Sequence, residues 1–243
     1  MIYQEFPPHP LLSPFIGAYW TAIGTSADGT AHKILPDGCI DIIINLGSDS
    51  PAGAQSSLKY EQAYLVGAMT RFKYSVMLPG SHLLGVRFKP GGFGAFFNFG
   101  ALHTLTDQTI ELDKKLSPEI SAWRSSLLKD LDSFFLSRLN EPKNPLIAAA
   151  ETITRCQGRI RVAELAGLHC TTVRQLERSF RLSIGISPKE LINISRCQFA
   201  IEKIRRKPLN QSLMQIAFDC GYYDHAHLSK EISKYTGEAP SCI

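Results

Sequence analysis

No apolar run in the 243 residues approaches the roughly 18 that a membrane span needs, so a transmembrane protein is not expected. A basic leader is missing as well: the chain opens with Glu5 and the prolines Pro7, Pro8, Pro10 and Pro14, where a secretory signal would begin on lysine or arginine. The expected location is the cytoplasm, with no membrane partner. Cysteine occurs six times but never as C-x-x-C; Cys39, Cys156, Cys170, Cys197, Cys220 and Cys242 are scattered, which argues against both a disulfide framework and a zinc knuckle. Reduced thiols packed as small apolar groups are the expectation. Histidine is sparse in the first half, where His9, His32, His82 and His103 stand far apart without an H-x-H, so clustered imidazole ligands are not expected there and no cofactor is called for.

What is present is an uneven charge. The formal net charge is +4. From Lys143 onward there are fifteen Lys/Arg against nine Asp/Glu, and before it eleven against thirteen. A basic second half on a mildly acidic first half is what a polyanion partner asks of one domain and not of the other. A length of 243 residues with 44% hydrophobic content can bury one large core or two smaller ones, and two domains are the starting expectation.

The first half reads as strands punctuated by turns. Ile34 to Pro36 leads into the turn Asp37-Gly38, followed by the β-branched run Cys39 to Leu46 closed by Gly47. Further strand candidates are Tyr64 to Val66, Ser75 to Leu78 and Leu83 to Phe88, the last two ending at Pro79-Gly80 and Pro90-Gly91-Gly92. This predicts a β-rich barrel or sandwich. Ser117-Pro118-Glu119 has the form of a helix start, and Ile120, Trp123, Leu127, Leu131, Phe134 or Phe135, and Leu139 recur at helical spacing behind it. Residues 1–140 are therefore taken as one domain with a trailing helix. Residues 141–145 are taken as a linker, and 146–243 as an all-helical domain. The fold class expected is α+β in two domains.

The second half contains an internal repeat. Leu165-Ala166, with Leu176, Phe180, Gly185 and Pro188 downstream, is answered by Ile216-Ala217, with Leu228, Ile232, Gly237 and Pro240, at an offset of 51 residues before a turn and 52 after it. Each copy has the layout of a helix-turn-helix. In the first, Thr172 caps a second helix that turns Leu176 and Phe180 inward; in the second, Gly221 supplies the turn, Asp224 caps, and Leu228, Ile232 and Tyr235 face inward. The outward positions are then Arg174, Glu177, Arg178 and Arg181, and His225, His227, Lys230 and Lys234. Arginine can bond guanine in a bidentate fork, glutamate can accept from cytosine, and histidine or lysine can donate to purine edges, so two such helices near 172–182 and 224–235 suit the reading of successive major grooves. Solvation of an amphipathic helix is the bland explanation for either copy alone. Between the copies, Ser187-Pro188-Lys189-Glu190 opens a long spacer helix ending at Arg205, Arg206 and Lys207, which with Thr172, Arg181 and Lys234 are candidate phosphate contacts.

The segments Val162 to Ala166, Arg174 to Phe180 and Gly185 to Pro188 resemble the first unit of the AraC/XylS DNA-binding domain, and Ile216 to Lys230 resembles its second. The resemblance implies a bacterial activator or repressor, a sequence-specific reader of double-stranded operator DNA. It implies base-facing positions at Arg174, Glu177, Arg178, Ala226, His227 and Lys230. RNA polymerase, an unspecified small-molecule effector and a second copy of the chain in a homodimer are the further partners it brings. Three residues depart from the family pattern: Cys170 stands at the usual turn glycine, Val173 at a frequent proline, and Lys230 where arginine is commoner. Lysine lacks the bidentate fork, so the second unit is expected to read less strictly. Leu35 to Asp41, Phe88 to Phe93 and Leu105 to Asp107 are similar to an N-terminal domain found on a subset of these regulators, whose ligand is generally unassigned.

Rival readings are a cupin-like small-molecule-binding protein or metalloenzyme with accessory helices, an antagonist that pairs with other regulators, and a methyl-accepting DNA-repair regulator. The first lacks clustered ligands. The second should have lost its exposed basic residues, and the third needs a reactive cysteine cluster. His225 and His227 do form an H-x-H, but residues two apart on a helix diverge. Within the first half, alternation puts Cys39, Asp41, Ile43 and Asn45 on one strand face. Asp41 and Asn45 then either line a polar pocket with Arg87 as a partner or face solvent, and Tyr19 and Trp20 are either pocket walls or core.

Overall fold

The computed structural model describes residues 1–25, 30–51, 57–120, 126–140, 145–206 and 211–243. Strands fill the first part: β1 (Ile2–Phe6), β2 (Ile16–Ile23), β3 (Thr30–Ile34), β4 (Ile40–Asn45), β5 (Ser50–Pro51), β6 (Ser57–Leu58), β7 (Ala63–Val66), β8 (Lys73–Met77), β9 (His82–Phe88) and β10 (Thr109–Glu111). Six form one antiparallel sheet in the order β1-β2-β9-β4-β7-β10, while β3 pairs with β8 and β5 with β6. Helices follow: α1 (Leu127–Arg138), α2 (Pro145–Arg155), α3 (Val162–Leu168), α4 (Val173–Ser183), α5 (Pro188–Arg205), α6 (Leu213–Asp219) and α7 (His225–Thr236). The expected order of a β-rich domain followed by an all-α one is thus what the chain adopts.

Alternation decides the two faces of the sheet. Ile40, Ile42 and Ile44 of β4 enter a core with Tyr19, Leu84, Val86 and Phe88, while Ile43 points the other way to a smaller cluster of Trp20, Ala22, Leu58, Tyr64, Met77 and Leu83. Tyr19 and Trp20 are therefore both core residues, one on each side. Over the larger face, Phe88, Phe96 and Phe135 pack edge-on or tilted with ring centroids 5.2–5.7 Å apart, the geometry that aromatic quadrupoles favour. α1 closes this face by burying Leu127, Leu131 and Phe135.

The helix expected from Ser117 begins later. The Ser117 hydroxyl donates back to the carbonyl of Lys114 at 3.2 Å and so completes the preceding 3-10 turn instead of capping a helix at Pro118. Ile120 lies partly buried against the core, Trp123 falls outside the described residues, and the helix proper starts at Leu127.

The helical part shares one core, in which Leu165, Ala166, Leu176 and Phe180 meet Leu191, Ile194 and Ile201 of α5 and Ile216, Ala217, Leu228, Ile232 and Tyr235 of the second copy. Each of the leucine, isoleucine and phenylalanine side chains contributes roughly 1.5–3 kcal/mol by leaving water. The two domains touch at defined points. Gln198 on α5 donates to the carbonyl of Pro36 at 3.0 Å, Thr106 donates to the carbonyl of Gly185 at 2.6 Å, and Lys33 forms an ion pair with Glu238. The Asp37-Gly38 turn sits on α5, where Gly38 has φ +75°, a left-handed backbone that favours glycine; a Cβ there would stand 2.4 Å from the Cδ1 end of the Leu191 side chain. No described helix is long and apolar enough to cross a membrane.

Candidate nucleic-acid interface

The two turns of the repeat are built alike, bond for bond. In the first, His169, Cys170 and Thr171 donate their N–H groups to Leu165, Gly167 and Ala166; in the second, Cys220, Gly221 and Tyr222 donate to Ile216, Phe218 and Ala217, all six between 2.9 and 3.2 Å and each pair 51 residues apart. Each following helix is capped from its own sequence. The Thr172 hydroxyl accepts from Gln175 N at 3.2 Å and the Asp224 carboxylate from His227 N at 2.7 Å, satisfying N–H groups that have no partner inside the helix. Ser187 and Ser212 cap α5 and α6 in the same way.

Inward anchoring leaves one side of α4 and of α7 in water. Leu176 and Phe180 are buried under α4, and Leu228, Ile232 and Tyr235 under α7. Arg174, Glu177 and Arg178 are exposed on α4, and His225, Ala226, His227 and Lys230 on α7. Thr172, Arg205 and Arg206 are exposed too; Arg206 pairs with Glu202 at 3.0 Å, and Lys207 lies outside the described residues. Arg181 and Lys234, near the C-terminal ends of α4 and α7, line a cleft against the first domain, where Lys234 meets Glu190 at 3.4 Å.

Two features of the second unit were not nominated by sequence reading. Tyr223, 84% exposed, stands directly before the capping Asp224. Arg196 on α5 donates to the carbonyl of Gly221 at 3.3 Å and stacks over Tyr222 at 5.2 Å, and Tyr222 in turn meets the His227 ring edge-on at 5.3 Å. The only sequence signal for this brace is the aromatic pair after Gly221, because Arg196 itself is twenty-five residues upstream.

In the first domain, three of the residues weighed for a ligand pocket, Trp20, Asp41 and Arg87, do come together. Trp20 Nε1 donates to Asp41 at 2.7 Å, and Arg87 stands 3.6 Å from Asp41, 3.5 Å from Asp37 and 3.1 Å from Glu5. Burial pushes Asp41 up to about 7, against the pull of Arg87, because one guanidinium serves three carboxylates. Asn45 does not join them. Its amide donates to the carbonyls of Ser48 and Leu58 and accepts from Gly47 N, so it is a fully buried backbone brace and not a pocket residue. Among the described residues no group of three His, Cys, Asp or Glu side chains is placed to hold a metal ion.

Residues 165–243 match a family model described as a helix-turn-helix domain, and residues 4–111 match a domain of unknown function, DUF6597. The chain accordingly carries a helix-turn-helix domain behind a DUF6597 domain. Among solved structures, it is similar to ToxT from Vibrio cholerae at 14% identity and TM-score 0.48, covering 92% of this chain and 96% of that one. The same protein with an unsaturated fatty acid bound matches at 13% identity and TM-score 0.44, over 88% and 92% of the two chains. A probable AraC family transcriptional regulator from Rhodopseudomonas palustris matches at 24% identity and TM-score 0.37, over 41% of this chain and 93% of its own. No curated protein matches this chain.

Proposed function

We propose that the chain is a transcriptional regulator of the AraC type that acts in the cytoplasm and reads its operator with two helices. In this reading α4 presents Arg174, Glu177 and Arg178 to one major groove, and α7 presents His225, Ala226, His227 and Lys230 to the next. The observation that carries the reading is the duplicated turn: two equivalent hydrogen-bonded corners, joined by α5, each leave the same face of the following helix in solvent. At 1.5 Å per residue, the 18-residue α5 is about 27 Å long, a spacer on the scale of one turn of DNA. The first domain bonds the units at Gly185 and Glu238, beyond the C-terminal ends of α4 and α7, while Arg174, His225 and Ala226 at the N-terminal turns stay exposed.

Thr172, Arg205 and Arg206, with Lys207 beyond the described residues, supply phosphate contacts, which set affinity and salt dependence without reading sequence. Arg181 and Lys234 contribute to the same backbone track where the cleft leaves them accessible. RNA polymerase and a second copy of the chain are the protein partners this role implies. A small-molecule effector held by the first domain would meet Trp20, Asp41 and Arg87.

The test is selection of sites from a random duplex library by the purified chain at two salt concentrations. A bipartite motif with half-sites about 34 Å apart is the expected outcome. Salt-sensitive binding with no sequence preference would overturn the two-reader assignment.

A further inference from the structure

A cleft of about 590 Å³ runs between the domains, and its walls come from both. Arg71 and His103 belong to the first domain; Arg181 lies at the end of α4, Ser187 and Glu190 at the start of α5, and Lys234 on α7. Three permanent cations thus face one carboxylate. That carboxylate is already engaged, since Glu190 accepts from the Tyr235 hydroxyl at 2.8 Å and from Lys234 at 3.4 Å. Arg71 and Arg181 have no ion-pair partner among the described residues.

The cleft is held in shape on both sides. Beside Arg71, Thr70 donates its N–H and hydroxyl to the two oxygens of Asp107, at 2.7 and 2.6 Å, which fastens the loop. Across the cleft, Thr106 donates to Gly185. Two free guanidiniums on braced segments suit planar anions, because each can bond a carboxylate or phosphate through two parallel N–H groups. Ile186 adds an apolar wall for a carbon skeleton.

From this geometry we propose that the interdomain cleft is a binding site for a small organic anion bearing two or more carboxylate or phosphate groups, held by Arg71, Arg181 and Lys234. The site is lined by none of Trp20, Asp41 and Arg87, and is separate from them. A bound anion would compete with Glu190 for Lys234 and tie the ends of both reading helices to the first domain. Only that consequence for operator binding rests on the regulator reading; occupancy of the cleft does not.

The experiment is calorimetry of the full chain with citrate and, separately, inorganic pyrophosphate, without DNA and at constant ionic strength in sodium chloride. The expected result is saturable binding of one anion per chain, with the dissociation constant raised about tenfold or more by Arg71→Ala and by Arg181→Ala. Arg155→Ala, which removes an exposed cation at the end of α2 that does not line the cleft, should leave it unchanged. The proposal fails if neither anion binds saturably or if Arg155→Ala weakens binding as much as the cleft variants. It fails equally if Arg71→Ala has no effect, since the anion would then sit on the DNA-binding domain alone. Melting curves of each variant separate loss of a contact from loss of fold. With no DNA in the cell, a negative result leaves the operator selection standing, and a failed selection leaves this binding intact.

Discussion

Cys170 and Gly221, 51 positions apart, occupy the same left-handed corner, with φ +49° and +75°, and each donates its N–H to the carbonyl three residues back. The left-handed region puts the Cβ of an L-residue against its own backbone, at a cost of about 1–2 kcal/mol that glycine avoids. Cys170→Gly is therefore expected to stabilise the protein by about 0.5–1 kcal/mol, reduced from the full strain by the extra freedom glycine brings to the unfolded chain. Gly221→Ala should destabilise by at least as much. Thermal unfolding of both variants checks the pair, and a Cys170→Gly variant less stable than its parent would mean that the thiol contributes packing which outweighs the strain.

Arg178 and Arg206 are both exposed arginines, but they are expected to behave oppositely on DNA. Arg178 lies on the solvent face of α4, one turn after Arg174, and its loss should cost about 1–3 kcal/mol at the cognate site and relax one base position. Arg206 closes α5 and shares Glu202 in a surface pair worth little, so Arg206→Ala should weaken all sequences alike and make the salt slope shallower by about one. Titrations of cognate and scrambled duplexes across salt concentrations decide both. An unchanged slope for Arg206→Ala would rule out its phosphate contact.

Much of this was legible because it is periodic. The two helix-turn-helix copies announce themselves through Leu165-Ala166 and Ile216-Ala217, and the capping residues Thr172, Ser187 and Asp224 act as their sequence positions suggested. Strand β4 was equally readable from its run of isoleucines. What stayed hidden depends on long-range pairing. β1 and β2 carry no turn signature between them as clear as Asp37-Gly38, and β10 is three residues long, fixed as a strand only by β7. The start of α1 misled because Ser117 has a competing carbonyl at Lys114. Asn45 shared a strand face with Asp41, and only the fold shows that the segment around Ser48 and Leu58 folds over it. The cleft between Arg71 and Arg181 joins residues 110 apart and has no local pattern at all.

The Asp41 carboxyl gives the first domain a pH dependence of definite sign. Its proton is held near pH 7 in the folded protein and near 3.8 in an ordinary aspartate, so the folded state binds it more tightly. The resulting stabilisation is full below about pH 3.8 and is lost as pH rises to about 7, as the ionised carboxylate joins Asp37 and Glu5 around Arg87. Asp41→Asn keeps an oxygen for Trp20 and removes the charge. Melting temperatures between about pH 4.5 and 8.5 should show a flatter profile for the variant, which above neutrality should be no less stable than its parent. A variant whose profile keeps the parent's slope would assign the titration to another group.

Arg196 offers the sharpest separation of the two helix-turn-helix units. Its guanidinium bonds Gly221 and Asn193, at 3.3 and 2.9 Å, and covers the Tyr222 ring that meets His227. Removing it takes away a half-buried cation–π contact and a hydrogen bond to the turn, together worth about 1–2 kcal/mol. Because the described side-chain partners of Arg196 lie in α5 and the second unit, Arg196→Ala should blur the half-site assigned to α7 and leave the one assigned to α4 intact. Arg196→Lys restores the charge but not the fork, so it should recover stability better than selectivity. Site selection with the two variants reads this directly. Equal loss of both half-sites would show that α5 transmits the disturbance to α4, and the two units would then have to be treated as one rigid reader.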